Sequence, residues 1–111
     1  VPRPQSDYTR SKQMTGDTAV NEVIGERGKI YGEPHLSHAN IGLSWTGLIQ
    51  QHYGIRLEHP LPDYLVELMM VAFKVHRSAR VFHADNFVDA KAYLAFAEHG
   101  QGNPGEPFRK D

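Results

Sequence analysis

Residues 63–77 read Asp63-Tyr64-Leu65-Val66-Glu67-Leu68-Met69-Met70-Val71-Ala72-Phe73-Lys74-Val75-His76-Arg77. No glycine or proline interrupts the run. Leu65, Leu68, Met69, Ala72 and Phe73, followed by His76, recur at the spacing of one broad helical stripe. This is the most helical stretch of the chain, and the stripe is expected to form the core. Arg77 and Arg80 suit the negative end of its dipole. Asp63, Glu67, Met70, Lys74 and Arg77 are spaced by three or four residues and make a second, polar stripe beside the first.

Working outward, three more helices are expected. One follows Asp17, a candidate N-cap, carries Val20, Val23 and Ile24 on one face, and meets Gly28 as a terminator. Lys29 to Pro34 then read as a fixed loop, because Gly32 and Pro34 oppose a helix. A second helix starts after Pro34 or at Ser37, shows Ile41, Trp45, Leu48 and Ile49 at helical spacing, and stops at Gly54; Gly42 and Gly47 lower its propensity. The last begins near Asp85, runs through Val88, Ala92, Ala95 and Phe96, and ends at Gly100. The fold class is therefore all-α: an antiparallel bundle of about four helices over residues 17–99. Residues 1–16 and 100–111, rich in breakers and lacking periodicity, are expected as flexible arms.

Composition narrows the chemistry. The 111 residues are 40% hydrophobic and 23% charged, an ordinary globular balance that fits one domain. No apolar run approaches the ~20 residues of a membrane span, and the N-terminus has no secretory signal, so a cytoplasmic location, with no membrane partner, is the expectation. With zero cysteines, disulfides, thiolate zinc and cysteine nucleophiles drop out. The formal net charge of −1 argues against nucleic acid as the main partner. Phosphate-loop and serine-hydrolase motifs are missing.

Acids remain the best candidates for chemistry. Glu22 and Glu26 on the first helix, and Asp85 and Asp89 on the fourth, each stand one turn apart, while Glu67 lies on the third. Converging carboxylates repel, and Mg²⁺ offsets such repulsion, with Lys74 and Arg77 then free to hold phosphate oxygens. The plainer alternative makes Asp85 an N-cap and pairs Asp89 with Lys74 or Arg77 across a helix interface. His35 and His38 could share a face, but without an HExxH motif they read as hydrogen-bonded structural residues rather than zinc ligands. Trp45, Tyr31, Tyr93 and Phe87 read as core aromatics before a base-stacking pocket.

The series Tyr31-Gly32-Glu33-Pro34, Asn40-Ile41 with Trp45, Leu68-Met69-Met70 with Lys74 and Arg77, and Asp85-Asn86-Phe87-Val88-Asp89 with Tyr93 resembles a family of small bacteriophage proteins. The likeness covers about residues 17–99. That family in turn looks like a distant relative of the MazG-type all-α nucleoside triphosphate pyrophosphohydrolases, whose acids bind Mg²⁺. Their acidic pairs are ExxE and ExxD, whereas both pairs here have four-residue spacing. The resemblance implies catalytic Glu67, Asp85 and Asp89, with Glu22 and Glu26 as further metal ligands. Lys74, Arg77, Tyr31 and Asn86 would contact a nucleotide or another phosphorylated small molecule. The implied activity is Mg²⁺-dependent release of pyrophosphate by a phage accessory enzyme in the host cytoplasm. The second reading is a non-catalytic module that captures a nucleotide or a host protein. A homo-oligomer is compatible with either, since a chain this size buries limited surface alone.

Overall fold

The computed structural model describes residues 16–108, so the expected arm at 1–16 lies outside the described residues except for Gly16, which opens the first helix. Four helices follow one another: α1 (Gly16–Tyr31), α2 (Pro34–Tyr53), α3 (Asp63–Ser78) and α4 (Ala84–Gly102). The described residues contain no strand. α3 and α4 form the most extensive pair, α2 leans on α3, α1 leans on α4, and α1 touches α2 only lightly. Contacts run in opposite directions along each pair. Lys74 meets Asp89 while Glu67 lies beside Gly100, and Arg27 reaches Asp89 and Tyr93 while Val20 and Ile24 share a cluster with Phe96. The bundle is antiparallel and all-α.

Local chemistry explains most boundaries. α1 runs through Gly28, the expected terminator, to Tyr31; the chain turns instead at Gly32, whose φ of 79° suits a residue without a Cβ. The expected loop at 29–34 therefore shrinks to Gly32 and Glu33. The Glu33 side chain caps α2 by accepting from the Leu36 amide at 2.8 Å, and Pro34 occupies the first helical turn, where its missing N–H costs nothing. Gly54 ends α2 in the left-handed region at φ 63°. The connection to α3 is clipped from within α2: the Thr46 hydroxyl accepts from the Leu61 amide at 2.8 Å and Gln50 Oε1 from the Leu57 amide at 2.9 Å. Gly42 is required here, because a Cβ would overlap the Leu61 carbonyl oxygen. α4 passes the expected stop at Gly100 and ends at Gly102. Beyond it, Phe108 packs edge-on against Phe96 at 4.9 Å between centroids, so this part of the expected flexible tail is docked on the bundle.

The core reverses the expected orientation of α3. Val20, Ile24, Ala92, Tyr93 and Phe96 make the buried cluster, with Met70 and Val71 against it from α3. Val66 and Glu67 are fully buried. Leu68, Met69 and Phe73, expected in the core, are 36%, 39% and 48% exposed. The apolar stripe of α3 thus faces outward, and its polar stripe faces in from Asp63 to Lys74, leaving Arg77 exposed. The physical reason is that Glu67 and Lys74 find charged or polar partners on other helices, which offsets the cost of burying them.

Candidate functional site

Two polar clusters occupy the inward side of α3. The first is a junction of three helices around Asp89 of α4. Lys74 Nζ of α3 lies 3.0 Å from Asp89 Oδ2, and an Arg27 guanidinium nitrogen of α1 lies 3.2 Å from Oδ1. Arg27 also donates to the Tyr93 hydroxyl at 2.5 Å and sits 4.6 Å from that ring's centroid. Two cations thus face one carboxylate, and all three side chains are largely shielded from solvent. Such an excess of positive charge suits an anion with several oxygens.

The second cluster gathers around Glu67. His35 Nδ1 and His38 Nδ1 approach its Oε2 at 3.0 and 2.5 Å, and Asp63 Oδ2 lies 3.5 Å from His35 Nδ1. A carboxylate only accepts, so both rings offer it their Nδ1–H. His35 Nε2 faces His99 Nδ1 at 2.9 Å, an arrangement that holds one proton between the two rings. Glu67 Oε1 is buried with no hydrogen-bond partner. Gly100 passes close by: a Cβ there would stand 3.2 Å from the His35 ring and 3.4 Å from Oε1.

The segment after α4 covers this cluster. The Phe108 amide donates to Glu33 Oε1 at 2.7 Å, and the Phe108 ring stands edge-on to His99 and His35. Burial raises the Glu33 pKa. The amides of Phe108, Leu36 and His35, and the charge of the His35 imidazole, together outweigh burial and hold the carboxyl below its ordinary value.

The sequence-derived candidates divide between these places. Asp89 and Lys74 meet in the junction, as the cross-helix ion-pair alternative anticipates. Arg77 does not join them; it is exposed, with its guanidinium over the Phe73 ring at 5.4 Å. Glu67 sits with the histidines. Asp85 is exposed in the first turn of α4, where a negative charge suits the helix dipole. Asn86 is buried beside it. Glu22 is half-buried on α1 and Glu26 exposed, while the side chain of Tyr31 lies outside the described residues. Sequence reasoning missed Arg27, Asp63, His99 and Phe108 as partners. The His35–His38 spacing was the visible trace of the second cluster. An open groove on α2, lined by residues including Asn40, Ile41 and Trp45, involves none of the candidates.

Glu67, Asp85 and Asp89 have separate surroundings, and among the described residues no group of three or more histidine or acidic side chains is arranged to hold a metal ion. The residues do not suit a Mg²⁺ held by protein alone. A Mg²⁺ carried in on the phosphates of a ligand would need only one or two protein carboxylates.

The described residues form an all-α domain of four helices with a charged three-helix junction. Residues 16–101 match the family described as a domain of unknown function, DUF6378, and the chain belongs to that family. It is also similar to the Gene 55 protein of Mycobacterium phage D29, 30% identical over 98 residues, which are 86% of this chain and 60% of that protein. The chain thus spans about 60% of the length of this phage relative. No solved structure matches it. No helix among the described residues is long and apolar enough to cross a membrane.

Proposed function

We propose that this domain binds a nucleoside triphosphate with its Mg²⁺ and hydrolyses it to monophosphate and pyrophosphate, as a phage accessory enzyme of the MazG-like kind. The observation that carries the reading is the junction itself, where α1, α3 and α4 each send one charged side chain to a single point. Lys74 and Arg27 would turn from Asp89 to the phosphate oxygens and stabilise the charge that develops on them. Asp89, so released, would face the cation. Mg²⁺ bound with the substrate supplies charge neutralisation and an activated water. The packing of α1 on α4, the helices that carry Glu22, Glu26, Asp85 and Asp89, supports the reading.

A second reading is a non-catalytic module that captures a nucleotide or a host protein. It is favoured by the fact that both Asp89 oxygens are already engaged by cations. The test is a panel of ribo- and deoxyribonucleoside triphosphates with Mg²⁺, read for monophosphate and pyrophosphate. Release from at least one member, lost in Asp89→Asn and in Lys74→Gln, supports the enzyme. A raised melting temperature without turnover supports the binding module, because a ligand that binds only the native state stabilises it. Neither effect would leave Asp89 a purely structural ion pair.

A further inference from the structure

Away from both polar clusters, Leu65, Leu68, Ala72 and Val75 of α3 and its C-cap Ala79 follow one another in alternating steps of three and four residues. That is the spacing of a coiled-coil seam. Leu65 is half-buried and the others are exposed, Val75 to 58%. Met69 and His76 flank the seam, and Val81, Phe82 and Phe87, each 44–49% exposed, lie in the connection after α3 and the first turn of α4. A soluble monomer rarely leaves a patch of this extent in water.

We propose that this face pairs with a second copy of the same chain, α3 against α3 in antiparallel orientation. A twofold axis level with Met70 sets Leu68 against the partner's Ala72 and Leu65 against the partner's Val75, so that large side chains meet smaller ones. Such a pairing is self-complementary, as an isologous interface must be. The seam itself carries no acid and no Lys or Arg, so no like charges are forced together at its centre. Its two ends differ in sign: Glu58 and Asp63 outnumber Arg56 at the start of α3, and exposed Arg77 and Arg80 stand at its end. In the antiparallel pair the acidic end of each copy lies at the basic end of the other, and the two helix dipoles oppose.

The experiment measures mass in solution by light scattering or sedimentation on the full chain, at tens of micromolar. The wild type is expected at twice the chain mass, and Leu68→Glu with Val75→Glu at the single mass, with unchanged helical circular dichroism. Because the chain has no cysteine, Leu65→Cys combined with Val75→Cys gives an independent readout that does not depend on the glutamate variant folding. Those two positions lie ~15 Å apart along one helix, beyond disulfide reach within a chain. Mild oxidation should therefore yield a covalent dimer, whereas Leu43→Cys on α2 should not. A monomeric wild type, a dimer that survives both glutamates, or equal cross-linking through position 43 would each overturn the proposal.

Discussion

The two sides of α3 carry opposite kinds of residue, and each lies where a simple amphipathic rule would not put it. The inward side holds Glu67 and Lys74, both partnered by other helices; the outward side holds Leu68, Met69 and Phe73 in solvent. The difference teaches that polarity alone does not decide which face of a helix turns in. A buried carboxylate is tolerable when two imidazoles from α2 reach it, and an exposed apolar stripe is tolerable when something else covers it. The inward side should therefore be costly to alter and the outward side cheap.

The largest effect is expected at Glu67. Replacement by Ala leaves His35 and His38 buried without their acceptor, and removing one partner of a buried pair costs about 3–5 kcal/mol. Chemical denaturation should show that loss. Glu67→Gln keeps an acceptor oxygen and should recover part of it. If Glu67→Ala melts like the wild type, the inward cluster does not hold the fold and the contrast between the two sides collapses.

At the junction, Asp89→Asn removes the charge that faces Lys74 and Arg27. Those side chains keep some contact with solvent, whereas Glu67 has none, so the stability cost should be smaller, about 1–2 kcal/mol. The same variant should lose nucleotide turnover under the proposed function. A stability loss equal to that of Glu67→Ala would mean that the junction is a structural centre, as buried as the histidine cluster.

Glu33 sharpens the comparison from the edge of the inward site, because one carboxylate both caps α2 and holds the Phe108 amide. Losing a cap costs about 1 kcal/mol, so Glu33→Gln should lower the melting point modestly at neutral pH. The folded-state pKa is depressed, so the stabilisation is fully present above the unfolded carboxylate value of about 4.3. It fades as pH falls through the lower folded value. The gap between wild type and Glu33→Gln should thus hold from neutrality to about pH 5 and close in more acid solution. A gap that widens on acidification would show that Glu33 is not the group responsible.

Much of the bundle was legible in sequence. The breakers at Gly54 and Pro62 and the periodicity of 63–77 mark α3, and the Asp85–Asp89 pair marks α4. The orientation of α3 was not legible, because the partners that draw Glu67 inward, His35 and His38, lie 32 and 29 positions away. Local periodicity carries no record of contacts at that separation. Gly28 misled for a related reason: a glycine lowers helix propensity by only about 1 kcal/mol, which packing of α1 on α4 can offset. The site was half legible. Charge and spacing offer Asp89 a partner in Lys74 or Arg77 without choosing between them, while Arg27 needed the packing of α1 against α4 before it could join.

The smallest effect belongs to the outward side. Met69 is 39% exposed and touches solvent where its apolar neighbours do, so Met69→Gln removes little buried surface and keeps a good helix former. Surface changes of this kind fall within about 0.5 kcal/mol of neutral. In dilute solution, where any dimer has dissociated, the melting temperature of Met69→Gln should match the wild type. At higher concentration it should fall behind, because association that stabilises the native state makes melting concentration-dependent. That pair of measurements separates the two explanations of an exposed apolar stripe. A difference already present in dilute solution would mean that the stripe contributes to the fold of the single chain. A difference that grows with concentration would mean that its partner is another molecule of the same protein.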